Sequence, residues 1–233
     1  MKHSVKKVIR YIIAFVYPEY CPYCSEVIEP WQISCPHCKK NVLNQSVTIR
    51  RGVLGSRCVS PFAYEGRVRK AIVNFKFHDM IQYERPLAEM MAKTIREEYD
   101  LSEIDLITYV PMYYRDEFKR EYNQSRLLAE ELSSIFSIPY AALLKKIKRT
   151  KKQHLLKFSE RKKNLSGAFA VIDKERIKGK GILLIDDVIT SGNTLSHCVK
   201  KLYSAKPRQV FCATLASAAE RERTTRKLPS KKE

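Results

Sequence analysis

Two adjacent carboxylates, Asp186 and Asp187, close an apolar run, and a small-residue turn follows at once: Gly181 to Leu195 reads GILLIDDVITSGNTL. Ile182 to Ile185 have the unbroken apolar character of a central strand in a parallel sheet. In such sheets ligands sit beyond the carboxyl ends of the strands. Val188 leads into Thr190, Ser191, Gly192, Asn193 and Thr194, and a helical pattern begins there. A helix start offers backbone N–H groups and the positive end of its dipole to an anion. The hydroxyls of Thr190, Ser191 and Thr194 add donors, and Gly192 lets the backbone approach closely. The turn therefore reads as a phosphate cradle. The acids suit a different task, accepting hydrogen bonds from a vicinal diol. A 5-phosphorylated ribose presents both features.

Competing readings account for less of this constellation. A dinucleotide-binding fingerprint would set glycines before the helix and one acid at the end of the next strand. A P-loop would need Gly-Lys-Ser/Thr, which the chain lacks. A Walker B strand ends in acids but has no phosphate turn after it. An acid pair that only caps a helix explains one aspartate and leaves the turn unexplained.

A second cluster lies near the start: Cys21 and Cys24 in CPYC, then Cys35 and Cys38 in CPHC. Each CxxC knuckle turns two sulfurs to one side, and two knuckles make the thiolate cage that Zn²⁺ prefers. Two disulfides or a redox CxxC are the alternatives. Four thiolates leave no open coordination position, so the zinc is structural and His37 is a surface residue. Lys39 and Lys40 offset the site's charge. The metal would fold about forty residues that burial alone could not. Cys198 and Cys212 read as core residues, and Cys58 is unassigned.

The elements that must position these groups alternate. Arg67 to Asp79, Tyr83 to Tyr99, Asn123 to Phe136 and Asn193 to Ala205 show helical periodicity. Asp105 to Met112, Gly179 to Val188 and Gln209 to Ser217 read as strands, with shorter strands near 138–147 and 166–172, and residues 53–64 read as irregular or strand-like. Strand–helix alternation predicts an α/β domain with a parallel sheet flanked by helices. The division expected is an amphipathic helix over 1–20, a zinc-ribbon-like module over 21–60, the α/β domain over 61–219, and a basic, disordered tail over 220–233.

The chain has 233 residues and a net charge of +19, with 44 Lys+Arg against 25 Asp+Glu. Such a field attracts polyanions: nucleic acid, phosphorylated metabolites or anionic membrane. A strip of Lys145, Lys146, Lys148, Arg149, Lys151, Lys152, Lys157, Arg161, Lys162 and Lys163, with Phe158 for base stacking, fits single-stranded DNA. An exposed helix face is the alternative. The apolar stretch Tyr11 to Tyr17 is too short for a membrane span. The expectation is a cytoplasmic protein without stable membrane insertion, with contact at the inner membrane face as the alternative.

The stretch around Asp186 and Asp187 resembles the phosphoribosyl-pyrophosphate (PRPP) motif of type I phosphoribosyltransferases. That resemblance implies that the acid pair contacts the ribose hydroxyls and that Thr190 to Thr194 wrap the 5-phosphate. The chain as a whole resembles the ComF family of competence-associated proteins. The matching blocks are the four cysteines, Tyr64-Glu65-Gly66 with Arg67 and Lys76, Val110-Pro111-Met112 through Arg120 to Gln124, and Thr150, Gln153, Arg161, Asn164 and Gly167-Ala168-Phe169. It departs from that pattern at Tyr109 for Pro, Glu121 for Gly, Tyr122 for Phe, and Lys206-Pro207 for Gly-Ala. The Glu121 change bears on a tight backbone turn, or an anion approach, near Arg120.

The resemblance implies a type I phosphoribosyltransferase-like domain with a small N-terminal zinc module. It implies Mg²⁺ held with PRPP, Val110 to Met112 at the pyrophosphate, and Arg161 reaching the pyrophosphate from a lid over 148–164. It also implies a part in natural transformation, handling incoming single-stranded DNA beside an uptake helicase and recombination proteins. An active transferase on an acceptor of unknown identity is the second reading. A nucleobase hood is not evident, because the zinc module and the helix after it fill that position. Tyr113 and Tyr114 are the candidates near it.

Overall fold

The computed structural model describes residues 18–29, 31–77, 80–149 and 167–218. The expected N-terminal helix and basic tail, Arg161, and Lys151, Lys152, Phe158, Lys162 and Lys163 lie outside them. Glu19–Tyr20 (β1), inside the span expected to be helical, is a strand paired antiparallel with Val27–Ile28 (β2). The cysteine knuckles follow, with a single helical turn at Pro36–Cys38.

The main sheet begins earlier than expected. Ile49–Val53 (β3) and Ser56–Ser60 (β4) form a hairpin on its edge, so the cysteine module ends before Ile49 rather than at residue 60. The two-residue loop Leu54-Gly55 has φ of +46° and +79°. Such a loop matches the twist of the flanking strands, and the usual Asn-Gly signal is missing because leucine fills its first position. Phe62–Ala63 (β5) continues the same edge.

The remaining elements follow the predicted order. They are Gly66–Phe77 (α1), Glu84–Glu98 (α2), Leu106–Tyr109 (β6), Tyr114–Arg120 (α3), Gln124–Phe136 (α4), Leu144–Lys146 (β7), Phe169–Val171 (β8), Gly181–Ile189 (β9), Asn193–Tyr203 (α5) and Gln209–Ser217 (β10). The sheet order is β3-β4-β10-β9-β6, with β5 also on β10; all but β3 run parallel. β7 and β8 form a separate antiparallel pair.

Alternation along the central strands divides the interior in two. Leu183, Ile185, Phe211, Ala213 and Leu215 share one core with Leu87 and Ile95 of α2, Leu128 and Leu132 of α4, and the cysteine module. Ile182, Leu184, Val210 and Cys212 face the other way, against Cys198, Val199 and Leu202 of α5. Each fully buried leucine or isoleucine contributes about 1.5–3 kcal/mol. Sheet covered on both faces is what the unbroken run at 182–185 demands. Cys58 belongs to this second core, beside Cys212 in register, where burial pushes its thiol up to about 12.

Candidate functional site

β9 does not stop at the acids; it runs on to Ile189. Its neighbour β6 pairs only as far as Tyr109 beside Ile185, and the Val110 N–H then donates to the Ile185 carbonyl at 2.9 Å. From Asp186 onward the strand has β10 on one flank and, among the described residues, no paired strand on the other. Strand alternation then sends the two carboxylates to opposite faces.

Asp187 meets Lys76 of α1, Oδ2 to Nζ 2.7 Å, with both side chains mostly buried. Burial would lower the Lys76 ammonium's pKa, but the Asp187 carboxylate outweighs it and holds it raised. Asp186 Oδ1 accepts from the Ser125 hydroxyl at 2.8 Å and from the Asp187 N–H at 2.9 Å. Burial, then the adjacent Asp187 charge, push the Asp186 carboxyl up to about 7, against the hydrogen bonds from Ser125 and Asp187 N–H. A pair of carboxylates with separate environments is a common mark of a functional site.

Ser125 reaches Asp186 because Asn123 sets the start of α4. The Asn123 side-chain oxygen accepts from the N–H groups of Ser125 and Arg126, a regular N-cap. Its amide donates to the Val110 carbonyl at 3.1 Å. One asparagine thus ties the 110–112 loop to the helix that holds the acid. Tyr122 donates its hydroxyl to the Phe75 carbonyl at 2.8 Å, which binds the same corner to α1. The tight turn expected of the family's glycine is kept, with Glu121 at φ +64°.

The turn after β9 runs straight into α5. Gly192 stands at φ +73° as the cap residue of α5 and, as a glycine, gives that helix start no side-chain cap of its own. An added Cβ would meet only Ile189 Cδ1, at 3.7 Å, so glycine serves the backbone conformation here rather than a close approach. Ser191 Oγ is buried and has no hydrogen-bond partner among the described residues. Such a group carries a desolvation cost until an acceptor or donor arrives. The Arg51 guanidinium, from β3, donates to the Thr190 carbonyl.

The candidates over 110–149 separate. Val110 and Pro111 are buried, and Met112 is partly exposed. Tyr113 and Tyr114 have ring centroids 4.6 Å apart, and Arg115 Nε donates to the Tyr114 hydroxyl at 2.9 Å. Lys145 is exposed, whereas Lys146 turns inward, its Nζ 5.8 Å from the Phe169 ring centre and its backbone bridged to Tyr113. Burial lowers the Lys146 pKa, opposed by the charges of Asp116, Cys198 and Asp186. Among the described residues no carboxylate lies within ion-pair distance of Lys146. Lys148 and Arg149 are exposed, and Arg149 pairs with Asp116 at 3.4 Å. Ser125 and Arg51 escaped the sequence motifs because their partners lie 61 and 139 residues away.

The four cysteines converge: the sulfurs of Cys21, Cys24, Cys35 and Cys38 all lie within 4.8 Å of one another. Tetrahedral zinc with ordinary Zn–S bonds would set thiolates about 3.8 Å apart, so the donor set fits one structural ion. His37 is exposed and contacts Asn41. The cation beside the cluster is Arg67 of α1, which donates to Cys38 Sγ at 3.4 Å; Lys39 and Lys40 point to solvent.

Residues 123–232 match the family model for the phosphoribosyl transferase domain. Competence protein F of Haemophilus influenzae is 30% identical over 84% of this chain and 85% of its own length. DNA utilization protein YhgH of Salmonella typhimurium is 25% identical over 82% of this chain and 88% of its own. A purine phosphoribosyltransferase from Pyrococcus horikoshii superimposes with a TM-score of 0.37 at 18% identity, over 57% of this chain and 73% of that one. The chain belongs to the competence protein F (ComF) family, with a phosphoribosyltransferase-type α/β fold behind an N-terminal four-cysteine cluster.

Proposed function

We propose that this protein handles incoming single-stranded DNA in natural transformation and carries a working site for PRPP with Mg²⁺. The observation that carries the PRPP half is the Ser191 hydroxyl, orphaned among the described residues, at a helix start whose cap residue is glycine, next to the acid pair. The 5-phosphate accepts hydrogen bonds from the Ser191 hydroxyl and the backbone of the 190–194 turn. The ribose diol donates to Asp186, and Asp187, on the other face, holds Lys76 beside it. The Lys146 ammonium, half-buried without a carboxylate partner among the described residues, and the 110–112 loop face the pyrophosphate. Mg²⁺ bound with PRPP would spread charge off the pyrophosphate as the C1–O bond weakens. Asp186 holds the ribose in place, which lowers the entropic part of any barrier.

The DNA half is supported by the relatives, a competence protein and DNA utilization proteins, and by the net charge of +19. Active transfer to an acceptor is the second reading, favoured by the intact acid pair and turn. The test is a thermal melt. Mg–PRPP at a hundredfold excess over its dissociation constant should stabilise the protein by about 2.7 kcal/mol. Asp186→Asn with Asp187→Asn should abolish that gain. An unmoved wild-type melt would remove the PRPP half. Single-stranded DNA affinity should fall steeply with salt; absent or salt-insensitive binding would remove the DNA half.

A further inference from the structure

At the far end of the sheet from the acid pair lies a groove of about 380 Å³. It is built where β4 and β10 begin, beside the last residues of α5 and the end of α2. Arg57, Tyr99, Tyr203 and Arg208 line it. Tyr99 forms its floor: the hydroxyl donates to the carbonyls of Arg57 and Cys212 at 2.7 and 2.8 Å, and the ring packs 5.0 Å from Phe211. The Arg57 guanidinium sits over this floor, 5.1 Å from the Tyr99 ring centre, and donates to the Glu98 carbonyl, with its side chain 49% exposed. Arg208 is anchored by Asp105 at 3.1 Å and the Glu103 carbonyl at 2.8 Å, yet 51% exposed. Tyr203 presents a ring 39% exposed, its hydroxyl 3.4 Å from Ser56 Oγ. Lys180 and Lys206 stand exposed on the adjoining turns, where Arg208 N–H donates to the Lys180 carbonyl and Gly179 N–H to that of Lys206.

We propose that this groove seats a segment of single-stranded DNA, one base stacked between Tyr203 and the guanidinium of Arg57, its flanking phosphates on Arg57 and Arg208. The proposal rests on the reading above that the chain handles single-stranded DNA. Bases stack on aromatic rings and on guanidinium planes alike, and each such stack is sequence-tolerant. A guanidinium has five donors. Arg57 engages the carboxylate and carbonyl of Glu98, and Arg208 engages Asp105 and the Glu103 carbonyl, which takes up only part of each fork, so both arginines are held in place with N–H groups left for phosphate. The position separates the two ligands. Asp186 pairs in register with Thr214, five residues along β10 from Gln209, hence about 16 Å away. A strand seated in the groove therefore leaves the acid pair and the phosphate turn open.

The experiment is fluorescence anisotropy with a labelled oligothymidylate and the full chain. Tyr203→Ala should weaken binding by at least about tenfold, as loss of one stacked base does. Tyr203→Phe keeps the ring without the Ser56 contact and should bind like wild type. Arg57→Gln should weaken binding and flatten its salt dependence by about one phosphate's worth of counterion release. Saturating Mg–PRPP should leave the affinity unchanged. If wild type binds and Tyr203→Ala and Arg57→Gln bind equally well, the groove is not the site. Displacement by PRPP would put the strand at the acid-pair cleft and overturn the groove. A thymidine mononucleotide binding as tightly as the strand would overturn the strand as occupant. A wild type that fails to bind DNA at all removes the parent reading, and the groove with it.

Discussion

The cysteine cluster and the acid pair are both knots of ionisable side chains, yet they are built in opposite ways. The four sulfurs face one another, three of the cysteines are buried, and the knot sits in the same core as α1 and α2. Such a site is finished once one ion enters. Asp186 and Asp187 diverge to opposite faces, and each takes a different protein partner, Ser125 and Lys76. The neighbouring turn keeps a buried hydroxyl without a partner among the described residues. A closed polar cluster holds a fold together, whereas an open one with partners already in place is ready to exchange them for a ligand.

Breaking the closed knot should have the largest effect. Cys35→Ser should cut bound zinc from one per chain to a small fraction and cost more than about 4 kcal/mol, because a structural metal contributes directly to folding. Metal analysis with a thermal melt checks both. A metal-free chain that melts like wild type would remove the distinction between the two sites.

Lys76→Met comes next. It leaves Asp187 mostly buried without its cation, and breaking one side of such a pair costs about 3 kcal/mol. The free protein should melt earlier, by denaturant titration, while its zinc content stays at one per chain. Loss of zinc in this variant would mean that the two knots are not separate.

The acid pair should also respond to pH. Asp186 stands at about 7 in the folded chain against an ordinary value of 3.8. A carboxyl raised by folding binds more protons in the folded state, so its contribution to stability declines as pH rises from 3.8 to about 7. The ionised form accepts the diol, so Mg–PRPP affinity should rise with pH up to about 7 and then level off. Ser125→Ala removes a hydrogen bond that favours the ionised form and should move that midpoint upward. Calorimetry across the range reads it; a flat profile would mean that Asp186 does not meet the ligand.

The smallest effect concerns backbone rather than charge. Glu121 and Lys206 both hold left-handed conformations, at φ +64° and +58°, where the family pattern has glycine. Glu121→Gly should stabilise the chain by up to about 1 kcal/mol without altering zinc content. A denaturant melt that shows destabilisation would mean the glutamate side chain holds the corner through a contact of its own.

The same contrast explains what could be read from residues alone. The two CxxC knuckles carry their whole geometry within 18 residues, Cys21 to Cys38, so spacing sufficed. The apolar runs of β9 and β10 announced a doubly covered sheet, and Gln209–Ser217 matches its predicted span. Residues 53–64 read as irregular or strand-like, but β3 and its turn into β4 stayed hidden because IRRGV carries charge on an edge strand and Leu54 occupies the usual asparagine position. The open site was half legible. Its acids and turn are contiguous, but Ser125, Lys76 and Arg51 arrive from α4, α1 and β3, and only the fold brings them there. Lys145 and Lys146 looked equivalent in a basic strip, but β7 sends alternate side chains to opposite sides.

Ser191 tests most directly whether the acid pair and the turn form one ligand cleft. Its hydroxyl has no partner among the described residues, so Ser191→Ala should leave the melting temperature unchanged or higher. Titration calorimetry with Mg–PRPP should then show affinity reduced by about tenfold, the worth of one hydrogen bond to a charged group. Equal affinity in Ser191→Ala and wild type, or no heat from either, would contradict the account.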